Sequence, residues 1–114
     1  MTATTRTIAT LAGIAAALML AHAPAQAADV KAGAAKAKEV CAACHGMDGN
    51  SAQPDYPRIG GLYPDFIAKA LRDYKSGARK SPIMSGFATG LSRLDIENLA
   101  AHYAGQPSVL RTAY

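Results

Sequence analysis

One pentapeptide constrains this 114-residue chain more than any other: Cys41-Ala42-Ala43-Cys44-His45. C-x-x-C-H is the spacing by which a polypeptide holds a haem through covalent bonds. Two thiols three positions apart at a helical turn can each add to one vinyl group on a porphyrin edge, and the next residue then carries an imidazole under the iron. The expected cofactor is therefore one haem c, covalent through Cys41 and Cys44, with His45 as a metal ligand. Other uses of the motif fit less well. A redox dithiol of thioredoxin type sits beside a βαβ pattern, and this sequence has no alternating strand run. Structural zinc takes four Cys or His ligands at motif spacing, and only His22 and His102 lie outside the motif. A disulfide between positions 41 and 44 would close a very short loop, constrain the unfolded chain little, and leave His45 without a role.

The N-terminus bears on where such a motif could mature. Residues 1–27 read as a secretory signal peptide, with Arg6 in a short basic start, an apolar run from Ile8 to Ala21, and small residues in Ala25-Gln26-Ala27 at the cleavage positions. The run is too short for a comfortable membrane span, and an uncleaved anchor would be longer and lack the A-x-A site. Cleavage is expected after Ala27 and the location is expected to be periplasmic, which suits haem attachment in an oxidising compartment outside the cytoplasm. Residues 28–114 are then one domain, short for a self-sufficient apolar core, so the haem is expected to supply the missing core. The formal charge is +4, of which Arg6 contributes one. Two haem propionates lower the remainder further. That balance, with no series of base-stacking aromatics, excludes a nucleic-acid binder.

The pattern along residues 28–114 predicts an all-α domain of about three helices joined by long loops. Val30 to Ala43 is helical, with Gly33, Ala37 and Val40 recurring along one small-sided stripe. Residues 46–61 carry Pro54, Pro57 and Gly60-Gly61 and read as a loop, yet the apolar Tyr56, Ile59 and Leu62 indicate that it wraps on the cofactor. A second helix opens at Tyr63-Pro64 and ends at Ser76 before Gly77. Phe66, Ile67, Ala70, Leu71 and Tyr74 share one of its faces, and Asp65, Lys69 and Asp73 the opposite one. Residues 77–90 read as irregular. The third helix starts at Ser92, with Asp95 completing a capping box, and runs to Ala104 before Gly105 and Pro107. Its stripe of Ile96, Leu99, Ala100 and Tyr103 is expected to cross the Gly33, Ala37, Val40 face. The tail after Pro107 carries no signal.

The sixth iron ligand separates electron transfer from oxygen, peroxide or sensor chemistry. Met47 is two residues from His45, and at roughly 3.5 Å per residue its backbone cannot reach the other porphyrin face. Met84 lies in a Pro/Gly segment far enough along for the chain to encircle the haem and present a thioether from the other side. A gap-filling core methionine is the alternative reading of Met84. His102, beside the buried stripe of the third helix, is expected to be exposed or partly exposed, and ligation through it would give a markedly lower potential.

The residues also resemble a known family. Cys41-Ala42-Ala43-Cys44-His45-Gly46 with Asp48-Gly49-Asn50, then Tyr56-Pro57-Arg58-Ile59-Gly60-Gly61, then Asp73-Tyr74-Lys75-Ser76-Gly77 with Arg79, then Pro82-Ile83-Met84 and Leu91-Ser92 through Asp95-Ile96 to Leu99-Ala100-Ala101 are similar, in this order, to class I cytochromes c. The likeness is to small bacterial monohaem forms and to single domains of dihaem cytochromes c linked to terminal oxidases. It covers nearly all of residues 28–114. The resemblance implies a small class I cytochrome c fold wrapped around one covalent haem, with His45 and Met84 as axial ligands, Pro57 offering its carbonyl to the imidazole, and Ile59 among the cofactor-binding residues. A second-shell carbonyl fixes the tautomer and ring orientation of a ligating histidine. His102 departs from the family, which often has an aromatic residue there.

A His/Met pair leaves no vacant position on the iron, so the expectation is an electron carrier in a respiratory chain, not an enzyme, handing one electron from a donor to an acceptor such as a terminal oxidase or dehydrogenase. Lys75, Arg79, Lys80 and Arg93 flank the Met84 segment and are expected to form a positive rim that steers an acidic redox partner; ordinary solvated side chains are the alternative. Two other functions compete: a haem enzyme or sensor with an exchangeable sixth ligand, and the small electron-accepting subunit of a larger periplasmic dehydrogenase.

Overall fold

A computed structural model describes residues 26–110, and the signal-peptide reading falls almost wholly outside them. The described residues are all-helical: α1 Val30–Val40, α2 Ala42–His45, α3 Pro64–Ser76, α4 Pro82–Thr89 and α5 Arg93–Ala104. No helix among them is long and apolar enough to cross a membrane.

The frame is α1 crossed on α5, as the two stripes predict. Asp29 caps α1, its carboxylate accepting from the Lys31 and Ala32 N–H groups at 2.8 and 3.1 Å. The Asp29 N–H donates to Asn98 Oδ1 on α5 at 2.7 Å, so one residue both starts the first helix and fastens it to the last. At the crossing Gly33 has no side chain because there is no room for one. A Cβ built there would lie 2.0 Å from the Asn98 carbonyl oxygen, so helix approach depends on a hydrogen atom at this position.

The expected continuous helix from Val30 to Ala43 is broken at Cys41. That residue closes α1 by donating to the Ala37 carbonyl at 2.9 Å and opens α2 by accepting from the His45 N–H at 3.0 Å.

The segment 77–90 is not irregular throughout, because it holds α4. Pro82 and Gly86 suggested loop, but Pro82 lies in the first turn, where a missing N–H is no loss, and the Ser81 hydroxyl caps by accepting from the Met84 N–H at 3.2 Å. About three helices thus becomes four longer helices and one short one.

Burial centres on Ala37, Ile67, Ala68, Leu91, Ile96, Leu99, Ala100 and Tyr103, a set dominated by α5. It contains only three large side chains that are fully enclosed, Tyr103, Ile96 and Leu99. On α3, Phe66, Ala70 and Tyr74 line a cleft beside this core, and Leu71 both lines the cleft and packs against the core.

Candidate functional site

The cleft lies between the C-x-x-C-H turn, the loop that follows it, α3 and α4. It has two adjoining lobes of about 240 and 200 Å³ that share Cys41, His45, Pro57, Leu71, Tyr74 and Met84. Ile59, Leu62, Phe66 and Ile67 are among the other residues of the first lobe; Cys44, Tyr56, Ile83 and Phe87 stand in the second. All six residues singled out from the sequence, Cys41, Cys44, His45, Pro57, Ile59 and Met84, therefore meet on one cavity, although they span more than forty positions.

His45 is buried, and its Nδ1 lies 2.8 Å from the Pro57 carbonyl oxygen. A carbonyl only accepts, so Nδ1 carries the proton, the ring is held in one tautomer, and Nε2 keeps its lone pair for an external acceptor. Proline suits this place because its own nitrogen asks for no partner while its carbonyl serves the imidazole. Met84, half-buried on the first turn of α4, offers a thioether to the same cleft.

Cys41 and Cys44 are free thiols, both half-buried. Burial pushes the Cys41 thiol up to about 11, opposed by a hydrogen bond with Tyr103. The Tyr103 hydroxyl donates to the Gly46 carbonyl at 3.2 Å, and burial pushes this phenol upward too, with Cys41 nearby adding to the effect. Tyr103 thus anchors both ends of the haem-attachment turn from α5. Its position on the buried stripe was legible; its polar task was not, since nothing in the spacing shows where a hydroxyl will find an acceptor.

His102 corrects the sequence reading: it is buried, not exposed or partly exposed. Its Nε2 donates to the Met47 carbonyl at 2.9 Å, and Gln106 donates to its main-chain carbonyl at 3.0 Å. The ring also stands edge-on to Tyr103, with centroids 4.9 Å apart. Counting angles around α5 missed this because the loop after His45 folds over that flank of the helix. His102 lines neither lobe of the cleft, and Met47 serves through its backbone while its side chain remains exposed.

The loop from 46 to 61 is fixed at several points. Gly49 accepts from both Ile59 and Gly60 N–H groups at 2.8 and 3.0 Å, and the Gly61 N–H reaches the Tyr103 carbonyl at 2.9 Å. Asn50 donates to the Pro107 carbonyl at 2.7 Å and accepts from the Val109 N–H at 3.2 Å, so the tail that carried no sequence signal latches the loop. The Asp48 carboxylate, receiving hydrogen bonds from Asn50, is held below its usual range.

The residues present fit a covalent porphyrin. The walls are mostly apolar, two unpaired thiols stand at the wall beside a pre-oriented imidazole, and a soft thioether shares the cavity. Among the described residues no three His, Cys, Asp or Glu side chains converge as a protein-only metal nest, which disfavours the zinc reading.

Comparisons with known proteins agree with this chemistry. The family model for cytochrome C oxidase, cbb3-type, subunit III matches residues 28–102. Cytochrome c4 of Pseudomonas aeruginosa is 45% identical over 87 residues, covering 76% of this chain and 41% of that protein. The thiosulfate dehydrogenase electron acceptor of Stutzerimonas stutzeri is 38% identical over 104 residues, covering 86% of this chain and 47% of the relative. The crystal structure of reduced recombinant cytochrome c4 from Pseudomonas stutzeri superposes with a TM-score of 0.66 at 38% identity, covering 71% of this chain and 47% of that one. The chain spans less than half the length of these relatives. With the fold, the thiol pair and the family match in agreement, the chain belongs to the cytochrome c family, as a class I domain that binds covalent haem c through Cys41 and Cys44.

Proposed function

We propose that this domain is a periplasmic one-electron carrier in which His45 and Met84 are the two axial ligands. The observation that supports it best is that both side chains line both lobes of the same apolar cleft as the thiols, with His45 Nδ1 already committed to Pro57. Bound haem supplies a one-electron iron couple. The protein does the rest. His45 presents Nε2 in a fixed orientation, and Met84, held by the Ser81 cap, presents a neutral thioether that favours the reduced metal more than a second imidazole does. Held by both residues, the metal would keep no coordination site for substrate, and the apolar walls would keep water away.

Replacing Met84 with Ala tests the assignment. The pigment should stay covalently attached, the reduction potential should fall, and carbon monoxide should gain access to the metal. A variant that keeps the parental spectrum and potential overturns the ligand assignment.

Partner docking belongs to the same reading, with a smaller rim than the sequence suggested. Lys75 is engaged with the Leu91 and Thr89 carbonyls, and Arg79 lines the cleft, which leaves exposed Lys80 and Arg93, among the described residues, as the cations near α4 outside these contacts. They would steer an acidic partner by salt-sensitive attraction. Similarity to a dehydrogenase electron acceptor favours a second reading, a small subunit receiving electrons within a larger assembly. Co-purification with a catalytic chain would distinguish the two.

A further inference from the structure

Met84 sits on a helix with few fastenings of its own. α4 carries no charged residue, its one buried residue is Ala88, and Ile83 and Phe87 stand in the cleft with much of their surface exposed. The hydrogen bonds made by its own hydroxyls and by its cap are internal: Ser81 accepts from the Met84 N–H, and the Thr89 hydroxyl donates back to the Ser85 carbonyl at 2.7 Å. Among the described residues one side chain from another helix is hydrogen-bonded to α4, and it is Lys75 of α3. Its ammonium donates to the Thr89 carbonyl at 3.4 Å and also to the Leu91 carbonyl, in the turn between α4 and α5.

The last carbonyls of a helix have no partners within it, and that end of its dipole favours a cation. α4 has no basic residue in its own last turn, so Lys75, in the last turn of α3, supplies both the donors and the charge. The Asp95 carboxylate at the start of α5 feels the same charge. One side chain thus gathers the ends of α3 and α4 and the beginning of α5. Leu91, whose carbonyl it takes, is buried in the core and lines the second lobe of the cleft, as Met84 does. We propose that Lys75 is a positioning residue that keeps the Met84 thioether on the iron, by tying the C-terminal end of α4 to α3 and so limiting the excursions that would withdraw it. The proposal rests on the reading of Met84 as the sixth ligand. It gives Lys75 a task inside the domain in place of partner steering. Lys75 is itself exposed, so the latch works at the surface and its effect is modest.

The test is the apparent affinity of the oxidised holoprotein for imidazole, an entering ligand that is neutral in mild alkali, so that loss of a lysine charge does not itself change its approach. Imidazole reaches the iron only when the thioether has left, and its apparent affinity therefore reports the open fraction. Lys75→Met keeps the apolar stem and removes the donors; it should bind imidazole about fivefold more tightly, a factor equivalent to about 1 kcal/mol. Lys75→Arg keeps the charge and the donors and should stay close to the parent. Asp29→Ala removes the side-chain cap of α1, at a comparable cost in overall stability, and should leave the imidazole affinity unchanged. An affinity for Lys75→Met equal to the parent's, or a gain matched by Asp29→Ala, overturns the proposal, and so does a Lys75→Arg protein as open as Lys75→Met. The two readings fail separately. A parent whose oxidised form lacks the thioether-to-iron band contradicts the Met84 assignment and the proposal with it; a parent and a Lys75→Met variant that both show the band and bind imidazole equally contradict the Lys75 role alone.

Discussion

His45 shows how little of a site need be novel once one atom is placed. Its adjacency to Cys44 gives the ring to the cleft, and the Pro57 carbonyl at 2.8 Å decides which nitrogen faces it. Tyr103 does comparable work from the other side by holding the Gly46 carbonyl while contacting the Cys41 sulfur. Tyr103→Phe preserves the buried ring and removes only the hydroxyl, leaving an acceptor without its donor. The expected loss is about 1 to 2 kcal/mol of holoprotein stability, measured as a lower denaturant midpoint at unchanged slope. An unshifted midpoint would mean that solvent reaches Gly46 after all.

Among the elements, the capping box of α5 carries a prediction with a definite sign. Ser92 accepts from the Asp95 N–H at 3.0 Å, and the Asp95 carboxylate accepts from the Ser92 N–H and hydroxyl at 2.9 and 2.7 Å. Those bonds, the hydroxyl's first, hold Asp95 below its ordinary range, with Lys36 and Lys75 helping. A carboxyl depressed in the folded state stabilises it above the unfolded pKa and loses that contribution as pH falls through the folded value. Ser92→Ala should therefore cost about 1 kcal/mol at neutral pH and less in acid, read from urea midpoints at the two pH values. An equal cost at both would show that the carboxylate takes no part. The same elements show what a sequence can disclose. α1, α3 and α5 were legible because each has an apolar stripe bounded by a capping residue or glycine. α4 was missed because eight residues containing Pro82 and Gly86 carry too short a stripe, and the Ser81 cap was the available clue. That Cys41, Cys44 and His45 share a cleft wall was legible from spacing alone, the presence of Met84 in the same cleft from reach, and that of Pro57 only through resemblance. His102 and the Asn50 latch were not, because their partners come from chain segments distant in sequence.

At the scale of the whole domain, the described residues enclose few large side chains, and several of their exposed apolar ones face the cleft. Phe66, Ile83 and Phe87, which line it, are 55%, 64% and 48% exposed in the protein alone. At roughly 25 cal/mol per Å² of apolar area, covering those walls is a substantial part of what such a small domain can gain, so the haem is as much core as cofactor. A folding unit built this way has its redox centre and its interior in one place, which limits the rearrangement that accompanies a change of charge. The central claim is that the metal is closed on both sides by His45 and Met84, and a redox titration of the purified holoprotein under carbon monoxide, followed by visible absorption, tests it most directly. The account predicts a single reversible one-electron transition, a thioether-to-iron band in the oxidised form, and no carbon monoxide adduct in the reduced form. Rapid formation of that adduct in the parental protein would contradict it.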